Sequence, residues 1–164
     1  MLGRLLGKEF TVRNFGVNGA TLLKKGDLPY WKLKAFKDAT AFGPNIVIIK
    51  LGTNDTKPQN WNQAGTEYEA DLRALIAHFQ KQPANPAIYL CLPVPVYQDR
   101  WGINEKTVTP VIKKVAKDNK LPVIDLYKAL SQKPEMFPDK IHPNAAGAKL
   151  MAETILAALK KSTE

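Results

Sequence analysis

The sequence predicts an α/β protein in which a parallel sheet lies between two layers of helices. Three observations carry that reading. Short runs of strand character, "NIVIIKLG" (45–52), "AIYLCLPV" (87–94) and "LPVIDLY" (121–127), alternate with segments of helical periodicity. The runs are nearly continuous in apolar residues, as expected of strands buried on both faces. Glycine and asparagine gather where the runs end, in "FGVNGAT" (15–21) and "LGTND" (51–55), which puts polar loops at the carboxyl ends of strands, where open parallel sheets build their sites.

Taken in order, "MLGRLLGKE" (1–9) sets Leu2, Leu5 and Leu6 on one helical face, with Gly7 where a C-terminal glycine belongs. It reads as the last two turns of a helix whose beginning lies outside the sequence. "FTVRNFGV" (10–17) then reads as a strand ending in a Gly/Asn turn, and 45–52 as the next strand. Tyr68, Leu72, Leu75, Ile76 and Phe79 form one face of a helix. The strand at 87–94 contains Cys91, whose apolar neighbours predict a buried, inert thiol. Val108, Val111, Ile112 and Val115 make a second helical stripe, with Lys113, Lys114 and Lys117 facing outward. After the strand at 121–127, Met151, Ala152, Ile155 and Leu159 make a third stripe, and "KKSTE" reads as a fraying end. No repeat, low-complexity segment or linker interrupts the chain, so residues 1–164 read as a single domain, of a size that buries about 70% of its unfolded surface.

Several function classes lose support at this stage. The net charge is +9, but the lysines are scattered and no aromatic-interleaved basic motif appears, so no nucleic-acid partner is expected. No apolar run is long enough to span a membrane, and no signal peptide is visible at the start. A single cysteine precludes an internal disulfide framework. No cluster of Cys, His and carboxylates has metal-ligand spacing, so neither a metal nor an organic cofactor is expected.

Chemistry concentrates in three loops. In "FPDKIHPNAAG" (137–147), Asp139 stands three residues before His142, a spacing at which a carboxylate can hold Nδ1 and leave Nε2 free as a base. In "KLGTNDT" (50–56), Gly52 permits a tight departure from the strand, and Asn54 offers a neutral side-chain donor suited to an oxyanion. In "NFGVNGAT" (14–21), Gly19 is placed to present a backbone N–H to the same oxyanion. The other histidine, His78, lies at the edge of a helical stripe and reads as a solvent-edge residue.

Together these segments resemble the SGNH (GDSL-type) hydrolases, over nearly the whole chain. Gly19 is similar to the glycine of that family's second block, Gly52, Asn54 and Asp55 to its Gly-x-Asn-Asp block, and Asp139 and His142 to its Asp-x-x-His block. "GATLLKKGDLPYW" (19–31) further resembles carbohydrate acetylesterases, including sialate O-acetylesterase-like members. The resemblance implies a three-layer, flavodoxin-like α/β/α fold and hydrolysis of a small-molecule ester through an acyl-enzyme. Within that scheme His142 is the base, Asp139 its support, Gly19 and Asn54 the oxyanion hole, and Gly52 and Asp55 supporting residues.

One block is lacking. The family's Gly-Asp-Ser, which carries the nucleophile on the first strand, has no counterpart; the only serines are Ser131 in a polar loop or helix end and Ser162 in the tail, and Thr21 has no matching motif. The resemblance therefore implies an N-terminally truncated hydrolase, inactive alone, that lacks its first central strand between 10–17 and 45–52. Either those strands close on each other or another chain, such as a second copy, covers the gap. The rival readings are a noncatalytic carbohydrate-binding relative, a flavodoxin-like small-molecule binder and a lipase- or lysophospholipase-type acyl hydrolase. Nothing in the sequence specifies the compartment.

Overall fold

A computed structural model describes residues 1–98 and 101–161. In chain order the elements are α1 (Leu2–Leu6), α2 (Lys34–Ala41), β1 (Ile46–Ile49), α3 (Pro58–Ala64), α4 (Tyr68–Gln80), β2 (Ala87–Cys91), α5 (Thr109–Asp118), β3 (Val123–Ile124), α6 (Leu126–Leu130) and α7 (Ala145–Lys161). The strands form a parallel sheet in the order β1-β2-β3, with Ile46 opposite Ala87 and Leu90 opposite Val123. Parallel neighbours need crossovers, and α4 and α5 supply them. Both lie on one face, as two successive right-handed crossovers in one direction require.

The sheet separates two apolar clusters. On one face Ile49, Ile88 and Leu90 pack with Leu72, Leu75, Ile76 and Phe79 of α4 and Ile112 and Val115 of α5, and Phe36 of α2 leans on them. On the other, Tyr89, Cys91 and Ile124 pack with Leu126 and Leu130 of α6 and Leu159 of α7, and Leu6 of α1 joins from the edge. The result is the predicted three-layer α/β/α arrangement. Cys91 is buried, and burial pushes its thiol up to about 12, which leaves it inert at neutral pH. Gly7 ends α1 at φ 83, and its N–H donates to the Gly3 carbonyl.

Three expectations fail, each for a physical reason. Residues 10–17 form no strand: among the described residues they make no backbone hydrogen bond to β1, and a ladder is what defines a strand. Side chains hold the segment instead, through Tyr30 Oη donating to the Phe15 carbonyl at 3.1 Å and the Phe15 ring lying 5.7 Å from that of Phe42. The run at 45–52 is not buried on both sides; β1 is covered only at Ile49, and Ile46 is 37% exposed, because its edge away from β2 borders a cavity. The run at 121–127 yields only a two-residue strand, since Asp125 accepts the Lys128 N–H and starts α6. The helices α2, α3 and α6 were not anticipated. α7 extends to Lys161, and Ser162 lies outside the described residues.

Candidate active site

The Asp-x-x-His segment is a turn locked at both ends. Phe137 and Ile141 are buried anchors, and between them Lys140 takes φ 68, reversing the chain. One carboxylate oxygen of Asp139 accepts the Ile141 and His142 N–H groups at 3.0 and 2.6 Å, and the other meets His142 Nδ1 at 2.6 Å. The His142 ring, followed by those two backbone donors, holds the Asp139 carboxyl well below the usual carboxylate range. An ionised carboxylate can only accept, so Nδ1 carries the proton and Nε2 of the neutral ring keeps its lone pair. Just beyond, Asn144 Oδ1 accepts the Gly147 N–H at 3.0 Å at the start of α7, fixing the backbone that carries His142.

The second constellation lies at the carboxyl end of β1. Gly52 adopts φ 129, and a Cβ there would stand 2.6 Å from Tyr68 Oη, the hydroxyl that donates to the Leu51 carbonyl. No other residue fits that departure. Asn54 spends one hydrogen of its Nδ2 on the Ala20 carbonyl at 3.2 Å and keeps a second. Gly19, at φ 81, presents an N–H with no hydrogen bond among the described residues. Asp55 is fully buried; one oxygen accepts the Leu23 N–H at 2.7 Å, and Oδ2 has no partner. Burial pushes its carboxyl up to about 6, against the pull of the Leu23 and Leu22 N–H groups.

Two buried polar residues that the sequence reading missed complete this loop system. Asn60 accepts the Asp27 N–H at 2.8 Å and donates to the Asn54 carbonyl at 2.9 Å. Asp71 accepts the Lys24 N–H at 2.8 Å. With Asp55, they fasten the backbone of residues 20–28 to α3, α4 and the loop after β1. Their signal was weak in sequence because the partners lie 33 and 47 residues away.

Gly19, Gly52, Asn54 and His142 all line one cavity of about 1070 Å³, so the predicted groups converge, while Asp55 lies behind its wall. Lys50, also missed, lines the same cavity and makes no hydrogen bond or ion pair among the described residues. Its side chain is open to the cavity, yet surrounding protein displaces enough bulk water to lower its pKa. The other hydroxyl candidates do not converge: Thr21 is fully buried with Oγ1 donating to the Leu23 carbonyl, and Ser131 Oγ donates to the Lys128 carbonyl at the end of α6. His78 is half-buried rather than at the solvent edge; it meets Thr40 Oγ1 at 2.8 Å and packs on Phe36, away from the cavity. Among the described residues no group of three or more His, Cys, Asp or Glu could hold a metal ion, and no helix is long and apolar enough to cross a membrane.

Comparison with known proteins gives consistent results. The pattern of the GDSL-like lipase/acylhydrolase family matches residues 1–150. An acetylxylan esterase of Xylanibacter ruminicola is 44% identical over 178 aligned positions, covering 95% of this chain; the chain spans only 37% of that protein's length. Among solved structures, the acetyl xylan esterase AlAXEase superposes with a TM-score of 0.69 at 22% identity, over 87% of this chain and 78% of its own. A catalytic variant of Axe2, an acetylxylan esterase from Geobacillus stearothermophilus, superposes with a TM-score of 0.62 at 24% identity, over 85% of this chain and 68% of its own.

Proposed function

The chain belongs to the GDSL-like lipase/acylhydrolase family, and on that premise we propose that it carries the base and oxyanion-binding half of a serine esterase that removes acetyl or other short acyl groups from a carbohydrate. The observation that carries this reading is the convergence of a carboxylate-held imidazole with Asn54 and Gly19 on one cavity. The acyl and sugar preference rests on the acetylxylan esterase relative.

In the proposed reaction a serine hydroxyl reaches His142 Nε2 and attacks the ester carbonyl as its proton passes to the ring. Asp139 steadies the imidazolium without taking the proton. The carbonyl π pair becomes the oxyanion, held by the Gly19 N–H and the free Nδ2 hydrogen of Asn54. Collapse breaks the bond to the alcohol, which leaves with the proton from Nε2, and water releases the acid by the same route. Loss of one oxyanion donor costs about 10² to 10³ in kcat. Neither Thr21 nor Ser131 is free to serve, so the nucleophile is brought from outside the described residues, and the chain alone is inactive.

The test joins an upstream segment bearing Gly-Asp-Ser ahead of Met1 and measures hydrolysis of an aryl acetate and of acetylated xylo-oligosaccharide. Turnover should appear with the added serine, vanish in His142→Ala and persist in His78→Ala. Hydrolysis by the unextended chain that His142→Ala abolishes would falsify the external nucleophile. Equal losses in the two histidine variants would show that the base is misassigned.

A further inference from the structure

Trp101 is a large apolar residue that the fold leaves in the open, 43% exposed on the loop between β2 and α5. The residues after it are held fast. Ile103 is buried, and the Asn104 N–H donates to Thr56 Oγ1 at 3.1 Å. The same hydroxyl donates to the Thr53 carbonyl at 2.8 Å, so the Trp101 loop is bonded to the turn that carries Asn54. Gly102 takes φ 69 against the first residue of α3, where a Cβ would stand 2.4 Å from Pro58 Cγ. Only glycine lets the loop lie that close. Further on, the Glu105 carbonyl accepts Thr109 Oγ1 at 3.1 Å, which ties the loop to the start of α5.

Trp101 lines the same cavity as Gly19, Asn54 and His142. Asn18 and Thr53, each next in sequence to one of the oxyanion donors, bring side-chain donors and acceptors to that lining. A flat apolar surface beside polar side chains is the mixture that suits a sugar. A pyranose with equatorial hydroxyls has faces made of C–H groups and a rim of hydroxyls. The C–H hydrogens are slightly positive and the indole face is negative, so the two attract when stacked. An acyl chain has no flat face and gains only from apolar area, which an aliphatic side chain supplies as well. Phe10 and Phe42 are the other exposed aromatic residues of the lining. Phe42 precedes β1 and so lies at its amino end, away from Asn54, and Phe10 follows α1 with no bond to the Asn54 turn among the described residues.

We propose that Trp101 is a stacking platform for a pyranose ring in the alcohol portion of the ester, and so a specificity-determining residue. The proposal rests on the esterase reading for the reaction, but the stacking itself needs no nucleophile. With the carbonyl oxygen turned to Gly19 and Asn54, the alcohol portion extends away from the oxyanion donors. The bond from Asn104 to Thr56 keeps the indole in one frame with Asn54, so a stacked sugar is held in register with the oxyanion donors.

The probe is xylotetraose without acetyl groups, titrated calorimetrically into the 164-residue chain, so that binding is read with no hydrolysis. It should bind, and Trp101→Ala should weaken it by about tenfold, the scale of one stacked ring. Trp101→Phe, which keeps a flat face, should retain most of the affinity, and Trp101→Leu, apolar but not flat, should not. In the chain extended with Gly-Asp-Ser, Trp101→Ala should lower kcat/KM for acetylated xylo-oligosaccharide about tenfold further than for ethyl acetate. Four results overturn the platform: no binding of xylotetraose by the wild-type chain, undiminished binding in Trp101→Ala, Trp101→Leu binding as tightly as Trp101→Phe, or equal kinetic losses on the two esters. Binding that depends on Trp101, in an extended chain that turns over neither ester, counts against the catalytic reading alone.

Discussion

Gly52 and Asp55 stand three residues apart and constrain the loop after β1 in opposite ways, one by the space it leaves and one by the charge it buries. Gly52→Ala would force a Cβ against Tyr68 Oη at a backbone angle side chains avoid; overpacking and left-handed strain together predict a loss of about 2 to 4 kcal/mol in urea denaturation. A loss below about 0.5 kcal/mol, the range of ordinary surface changes, would mean that the loop relaxes freely. Asp55 has the reverse of the usual carboxylate behaviour. Its folded value is raised to about 6, so the folded chain holds the proton more tightly than the unfolded one. The stability it contributes is fully present below about pH 4 and is lost as pH rises through about 6, a difference of about 3 kcal/mol. Asp55→Asn keeps the acceptor for the Leu23 N–H and removes the charge. Its melting temperature should therefore vary less than wild type between pH 4.5 and 7, and parallel profiles would place the raised carboxyl elsewhere.

At the scale of elements, residues 10–17 and β2 have comparable strand-forming composition and opposite fates. β2 has a strand partner on each side, whereas 10–17 has none among the described residues. Amide hydrogen exchange should therefore be near the unprotected rate at Thr11 and Val12 and slow at Ile88 to Leu90; equal protection would mean that the segment is paired after all. This contrast also marks what the sequence could convey. Helical stripes at α4, α5 and α7 were legible because periodicity is a local property, and the Asp139–His142 turn was legible because its bonds span three residues. Strand pairing is not local, so 10–17 looked like a strand on composition alone, and a single capping carboxylate, Asp125, redirected the run at 121–127 into a helix. The clamps made by Asn60 and Asp71 escaped for the same reason, since nothing at either position points to its distant partner. Asn60→Ala would strand the Asp27 N–H and the Asn54 carbonyl, and should cost about 2 to 3 kcal/mol by denaturant titration.

Over the whole molecule, strand order follows chain order, and each neighbour is joined by its own crossover helix. The body of the sheet therefore closes through loops of moderate length. The loop carrying Gly19, in contrast, is fastened to the rest of the molecule through long-range contacts with the loop after β1, α3 and α4. This difference predicts an order of assembly in which the sheet and its two crossovers condense first and the Gly19 loop docks afterwards. Truncations in β2, such as Leu90→Ala, should slow refolding, while Asn60→Ala should leave the refolding rate unchanged and speed unfolding. On that order the chain would be folded, by any measure of its sheet, in the interval before the proposed oxyanion donors are in place.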